Sequence, residues 1–575
     1  AADGEKLGTV VMMDYAQNIS QSDVLSLTSQ DVEPVLVQIN QQQITCMIDT
    51  QPFQLDVFVY PDNAIDKSVV WSSDDPDVAS VSETGVVTPV GGGETIIRAT
   101  ACNGVQGTTT VSVGEPISEL PEDFVIREDG SYQIPANLNR NVLITDNAHN
   151  VRVIGDSSNT SSNPYNGLSF TSENDNLNLT VQNMKVTAKS ASVITFKGEG
   201  NTLTLRDENS FTASDNSYSS KALINVPEDS SLTVKGSGTL NLYLGAATYG
   251  AGIGANAGKI SGTITIDSGK INGTSYGSGA LIGGTGYGAK KITINGGRLN
   301  LDVPYKDGWP SNLTACGAAI GDGNTSYRDG TVAIEINGGE INGSTAVNAA
   351  VIGTGHGSTT VATVTINGGK LNLKSVSGDG KDTTGGACIG TGDQATALGR
   401  VTINGGEIIV STESGAAAIG GGAGTNGCTV MVNGGTITAS TSSSVPAIGR
   451  GSYISSGTDG AIMISGGSLK ATSASETVAA LPFGNIQNDD YDDVFETLIY
   501  APNVKSVTVD GVDWKVSGNH PEDDYLHLWL AEGTHYVAVE TENGTIKYEV
   551  VVTPTGKSTA TQYFDVTYTL TDLTT

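Results

Sequence analysis

The sequence predicts an all-β chain in which a long parallel β-helix is flanked by two smaller β-sandwich modules. Three observations carry that reading. First, a short apolar strand closed by a glycine corner returns seven times between residues 264 and 467: Ile266-Asp267-Ser268-Gly269, Ile294-Asn295-Gly296-Gly297, Ile336-Asn337-Gly338-Gly339, Ile366-Asn367-Gly368-Gly369, Ile403-Asn404-Gly405-Gly406, Val432-Asn433-Gly434-Gly435 and Ile464-Ser465-Gly466-Gly467. Second, a phrase of the form Ala251-Gly252-Ile253-Gly254, Ala318-Ala319-Ile320-Gly321 or Ala417-Ala418-Ile419-Gly420 interleaves with it. Third, apolar residues alternate within each copy, as in Ile292 and Ile294 or Val401 and Ile403, which is strand periodicity with one buried face. Such units cannot bury their apolar faces alone and must stack.

From the N-terminus, residues 1–32 form a leading segment in which Gly8 to Met13 reads as a strand. Residues 33–114 carry a different pattern. The runs Phe53-Gln54-Leu55-Asp56-Val57-Phe58-Val59-Tyr60-Pro61, then Val70-Trp71-Ser72-Ser73-Asp74-Asp75-Pro76-Asp77-Val78-Ala79-Ser80-Val81, then Thr84-Gly85-Val86-Val87-Thr88-Pro89 closely resemble the bacterial Ig-like group 2 family. That resemblance implies an Ig-like β-sandwich with Trp71 as its core anchor. It also implies a spacer or adhesive module of surface proteins or phage structural proteins, displayed without chemistry of its own.

Residues 115–484 form the solenoid. Successive glycine corners lie 28 to 42 residues apart, and this variation fits a β-helix that takes insertions at its bends. Each coil reads as three short strands, with Leu299, Ile341, Leu371, Ile408, Ile437 and Leu469 buried just after the corner. Parallel crossovers are nearly always right-handed, so a right-handed helix is expected. Counting the less regular segments from Val142 onward gives about eleven coils and roughly 50 Å of length at 4.8 Å per coil. The region is similar to β-helical segments of Gram-positive extracellular proteins, some of them carbohydrate-binding.

At the corners, glycine reaches positive φ without steric cost and asparagine tolerates the left-handed region. Stacked coils would align Asn295, Asn337, Asn367, Asn404 and Asn433 into a structural ladder of amide hydrogen bonds. The outward residue after each corner runs Lys270, Arg298, Glu340, Lys370, Glu407, Thr436, Ser468, and from Arg298 to Glu407 its sign alternates, as suits neighbours on adjacent strands. From 485 to 575 the corners stop. Strands are expected at Val504–Val509, Tyr525–Leu530, His535–Glu540 and Thr545–Val552, with turns at Asp510-Gly511 and Asn543-Gly544, forming a β-sandwich that caps the solenoid. Tyr563 to Leu573 is expected as a further strand, and terminal strands are candidates for self-assembly.

Composition sets limits on function. The 575 residues carry a net charge of −32, which repels nucleic acid and anionic membrane surfaces. No run has the length and apolarity of a membrane-spanning helix. Ala1-Ala2-Asp3 leaves two expectations open, signal-peptide cleavage with secretion to the bacterial surface, or initiator-methionine removal as for a virion component. Of the five cysteines, Cys46 and Cys102 are candidates for a bridge, and Cys388 fills a slot held by Ala319, Val351 and Ala418 in sister coils.

Chemistry is thin by comparison. Gly273-Thr274-Ser275-Tyr276-Gly277 matches a nucleophile elbow literally but lacks its strand-turn-helix setting, and Gly422-x-Gly424-x-x-Gly427 lacks a βαβ unit. Asp302, Asp307, Asp322 and Asp329, with Lys306 and Arg328, are candidate acids and bases of a polysaccharide lyase or hydrolase, but no paired carboxylates on adjacent coils emerge. Aromatics at corners and in the longest insertion, Tyr287, Tyr305, Trp309, Tyr327, His356 and Tyr453, are candidates for a glycan-stacking platform. Asp489, Asp490, Asp492 and Asp493 form an acidic loop with oxygen ligands suited to calcium, without EF-hand spacing. His520, Asp523, Asp524 and His527 read as a surface turn more readily than as a metal cluster. The expectation is a non-enzymatic surface protein for display and adhesion, binding glycans along the β-helix, with no cofactor beyond calcium. A virion or surface-filament subunit and a β-helix polysaccharide-active enzyme are the alternatives.

Overall fold

A computed structural model describes residues 32–48, 50–114, 116–214, 219–305, 317–324, 330–346, 348–376, 385–396, 399–452, 460–474, 479–481, 486–521, 523–554 and 558–563, with backbone alone for four short strands before residue 32. Two compact units, 1–116 and 117–575, are distinct.

In the first unit, Gln43–Met47, Gln106–Gly114, Gly93–Ala101 and Val69–Ser73 form a four-stranded sheet. Phe53–Gln54, Val86–Pro89 and Ala79–Val81 form a second sheet, and Leu36–Ile39 pairs with Val57–Tyr60. Alternation along the strands turns Val37, Ile39, Leu55, Val87, Ile97, Ala99, Val111 and Val113 into one core. Trp71 packs against this core half-buried. Gly85 makes room for it, because a Cβ there would come within 2.9 Å of the indole. The Cys46–Cys102 bridge does not form: both thiols are free, Cys46 lying beside Val113 and Cys102 in the turn before Gln106, at opposite ends of one strand.

The second unit is mostly a parallel β-helix. One sheet stacks twelve strands, one per coil, running from Val125–Ile126 to the Ile448–Gly449 pair. The other stacks 23 strands and holds the two strands that flank the Asn-Gly-Gly corner in each regular coil. The strands of successive coils pair in parallel, for example Ile294↔Ile336, Ile336↔Ile366 and Ile366↔Ile403, with register shifts only between Ala289 and Ile292 and between Val432 and Thr436. Stacking begins at Ile117–Glu119, a coil earlier than Val142, and Ile486–Gln487 still pairs with Ile462–Met463 at the far end.

Two rows of backbone contact make the coils uniform. At the Ile-Gly strand, a Cβ on Gly254, Gly283, Gly321, Gly353, Gly390 or Gly420 would fall 1.8–2.1 Å from the carbonyl oxygen of the matching glycine one coil on. No other residue fits there. At the opposite corner it is the second glycine that takes the left-handed conformation, with φ of 82°, 84°, 91°, 95° and 91° at Gly297, Gly339, Gly369, Gly406 and Gly435. The asparagines before them do not, which corrects the expectation for that position. Their side chains form the ladder: Asn295 donates to Asp267, and Asn337, Asn367, Asn404 and Asn433 each donate to the asparagine one coil earlier at 2.8–2.9 Å.

The C-terminal cap has two sheets, Val494–Tyr500 with Tyr525–Ala531, and a five-stranded sheet that includes Val504–Val509, Gly533–Thr541, Gly544–Val552 and Thr559–Tyr563. Leu526, Leu528 and Leu530 enter the core between these sheets. Alternate residues of the same strand turn the other way: Trp529 joins the solenoid core and donates its indole N–H to the Leu469 carbonyl at 3.0 Å. Most of the segment expected as a strand from Tyr563 to Leu573 lies outside the described residues.

Candidate functional groove

The second strand after each corner alternates inward and outward, and its outward residues line a groove on the face of the solenoid. Its volume is about 710 Å³. Along its floor a second amide row is built from Asn241, Asn272, Asn300, Asn342 and Asn372. Asn241 donates to Glu208 at 3.1 Å, Asn272 to Asn241 and Asn300 to Asn272 at 2.8 Å, and Asn342 to Asn300 at 3.2 Å. An amide offers two N–H groups and two carbonyl lone pairs. The ladder takes one of each from Asn272 and Asn300, so each has capacity directed elsewhere. Asn342 gives its second N–H to Glu340 at 2.9 Å.

Beside the amides runs a row of Tyr243, Thr274, Asp302, Ser344 and Lys374. Ser344 donates to Asp302, and Lys374 pairs with Glu413 at 2.8 Å. Tyr243 sits with its ring centroid 6.0 Å from that of Tyr276, giving an aromatic surface at the N-terminal end. Inward, Gly273 and Gly343 are crowded by Leu281 and Val351 side chains that reach across the coil. The expected charge row is present at the groove margin, with Arg298–Glu340 at 3.3 Å and Lys370–Glu407 at 2.9 Å.

The aromatic platform does not assemble from the residues expected for it. Tyr287 and His356 follow the Ile-Gly strand, whereas Tyr305 follows the second strand at another corner and packs against the solenoid core. Trp309, Tyr327 and Tyr453 lie outside the described residues, as do Lys306, Asp307, Arg328 and Asp329. Asp302 is in the groove, but Asp322 is not: it is fully buried. There it accepts from Thr360 at 2.5 Å and from the backbone N–H groups of Gly286 and Gly288 at 2.9 and 3.2 Å, tying three coils together. Burial pushes its carboxyl above the usual range, against those hydrogen bonds. Asn324, His356 and Asp393 occupy the third position after the Ile-Gly glycine in three consecutive coils. Asp393 is nearly fully buried, which pushes its carboxyl up to about 7, and burial lowers the His356 imidazole 3.8 Å away. Asp393 is an interior group of the corner, and His356 lies half-buried beside it.

Cys388 behaves as a filler, fully buried, with burial pushing its thiol up to about 12. Asp489, Asp490, Asp492 and Asp493 are exposed, and the turn is closed by Asn488, whose side-chain carbonyl accepts the N–H groups of Asp490 and Asp492 at 3.0 and 2.9 Å. Among the described residues, no group of three or more His, Cys, Asp or Glu side chains is placed to hold a metal ion. The turn at His520–His527 is not a surface turn: both imidazoles are buried against the last two coils.

The second amide row had a sequence signal. Asparagine recurs five residues after the corner residue, at Asn272, Asn300, Asn342 and Asn372, following Asp267, Asn295, Asn337 and Asn367. Attention to the first outward position alone passes over it.

Residues 36–112 match the family model of the bacterial Ig-like domain (group 2). A curated relative, Lacto-N-biosidase of Bifidobacterium bifidum, is 44% identical over 68 residues, which is 12% of this chain and 6% of that protein. The chain thus matches only a small part of that relative's length. Among the described residues no helix is long and apolar enough to cross a membrane, a statement that leaves strands aside.

Proposed function

We propose that this chain, a bacterial Ig-like domain followed by a capped parallel β-helix, is an extracellular, non-enzymatic display protein that binds a neutral glycan along the solenoid groove. The observation that carries the reading is the amide row from Asn241 to Asn372. At Asn272 and Asn300 it leaves an N–H and a carbonyl lone pair open to the groove without adding charge, which suits a ligand dense in hydroxyl groups. The coil spacing of about 4.8 Å is close to the length of one sugar ring in an extended chain. Tyr243 and Tyr276 offer an apolar face for a terminal ring, as aromatic side chains do for amphipathic ligands. The Ig-like module supports a position outside the cell, and the partial similarity to a protein named Lacto-N-biosidase is in keeping with a glycan-rich setting.

The test is a glycan array of neutral oligosaccharides probed with the full chain, its Asn272→Leu/Asn300→Leu variant and its Tyr243→Ala variant. Affinity should rise with oligosaccharide length up to about five rings and fall about tenfold or more in the double variant. Equal binding by parent and variant, or no binding at all, would sink the reading. Appearance of new reducing or unsaturated ends on prolonged incubation would make the protein an enzyme and overturn the non-enzymatic part.

A further inference from the structure

The joint between cap and solenoid is built from protonatable groups rather than from apolar contact alone. His520 stands between two coils, its Nδ1 2.9 Å from the Thr438 hydroxyl and its Nε2 2.8 Å from the Ser468 hydroxyl. Ser468 Oγ also accepts the backbone N–H of His527 at 2.9 Å. The two imidazoles meet edge to face with centroids 5.0 Å apart. His527 Nδ1 lies 2.8 Å from Glu496, its Nε2 3.2 Å from Asp523, and Asp523 accepts from Lys470 of the last coil at 2.8 Å. His520 and His527 are only 4% and 7% exposed.

A neutral imidazole fits this setting, donating on one side and accepting on the other. A protonated one must donate on both sides, so whichever of the Thr438 and Ser468 hydroxyls donates to the neutral ring loses its acceptor. The new charge would also be buried beside His527 and Lys470, with only Asp523 acting to favour it. Burial first, and then His527 and Lys470, push the His520 imidazole down to about 4. Burial opposes ionisation of Asp523, but the bonds from Lys470 and His527 outweigh it and hold that carboxyl well below the usual range.

We propose that His520 is a proton-sensitive latch that fastens the cap to the last two coils and lets go on acidification, uncovering the end of the solenoid. The sign follows from linkage. In a detached cap His520 regains an ordinary value near 6.5, whereas docked it titrates at about 4. Docking is strongest above 6.5 and weakens about tenfold per pH unit as pH falls from 6.5 to about 4. Asp523, whose value is lowered by docking, adds a loss in the same direction at still lower pH.

Trp514 and Trp529 both donate to the last coil, to the carbonyls of Gly467 and Leu469, so their fluorescence reports the joint. The experiment uses the full chain carrying Trp71→Phe and Trp309→Phe, unfolded in urea at about pH 7 and about pH 4.5, with far-ultraviolet circular dichroism following the solenoid. The fluorescence midpoint should drop on acidification and fall below the circular dichroism midpoint. In His520→Asn it should be lower at neutral pH and no longer respond to pH, while His535→Asn should keep the parent's response. His520→Gln, which retains an amide between Thr438 and Ser468, serves if the first variant does not fold. A pH-independent midpoint in the parent, an unchanged response in the His520 variants, or coincident midpoints at acid pH would each overturn the proposal.

Discussion

Between Ile253 and Gly449 the solenoid repeats one set of contacts at every coil, whereas Thr436 to Lys470 meet the cap through contacts that occur once. In the body, glycine faces a glycine carbonyl, asparagine bonds to asparagine and isoleucine packs on isoleucine. Each coil is therefore its neighbour's template, and stability is a sum of like interfaces. At the joint, two histidines, two carboxylates, a lysine, two hydroxyls and two indoles fit one geometry. Repetition tolerates loss of any one polar bond but not a change in backbone spacing. The joint has the reverse sensitivity.

The largest effect should come from breaking the spacing. Gly353→Ala would drive a Cβ to 1.8 Å from the Gly390 carbonyl oxygen, in a stack whose neighbours cannot retreat. A loss of more than about 4 kcal/mol is expected, by urea or thermal denaturation of the whole solenoid. Next is Trp529→Ala, which empties the last coil's cover and should cost about 3–5 kcal/mol in the cap transition while leaving the unfolding of the solenoid body unchanged.

A pH scan sharpens the contrast, because the two regions respond with opposite sign. Asp393 has its carboxyl raised to about 7 by burial. Its contribution is full below the unfolded value of 3.8 and is lost as pH rises through about 7. The slope is at most about 1.4 kcal/mol per pH unit. The solenoid's melting temperature should therefore fall between pH 5 and pH 8 in the parent and fall less steeply in Asp393→Asn, where the buried Asp322 carboxyl keeps a response of the same sign, while the cap joint strengthens over the acid part of that range. A rung of the corner ladder matters less: Asn367→Ala removes two exposed bonds of 2.8 Å and should cost about 1 kcal/mol. Least of all, Lys370→Ala should cost a few tenths of a kcal/mol, a difference that disappears in high salt.

What could be read from the chain divides along the same line. Recurrence exposes whatever repeats, so the three-strand coil, the corner ladder and the Cys388 filler were visible from residue order alone. The groove row was equally periodic, yet its importance depends on which outward row the sheet recesses, and period alone does not say that. Asp322 sits in a glycine-rich loop that reads as solvated, and only stacking of Gly286, Gly288 and Thr360 around it takes it out of water. The joint has no recurrence at all. His520 and Ser468 are 52 residues apart, and their pairing follows from tertiary closure alone.

The corner ladder has a direction: every amide from Asn337 to Asn433 points its N–H toward the preceding coil, and the series begins at the Asp267 carboxylate. Its last carbonyl, on Asn433, has no hydrogen-bond partner, because Ser465 follows and bonds instead to the N–H of Asp489. A coil duplicated between Asn295 and Asn433 would find a ready acceptor below and a ready donor above, so the ladder itself sets no number of coils. The residues that seat the cap, Thr438, Ser468 and Lys470, lie on the last two coils and would move with it. The ladder is in effect a ruler with a fixed end piece and no set number of divisions.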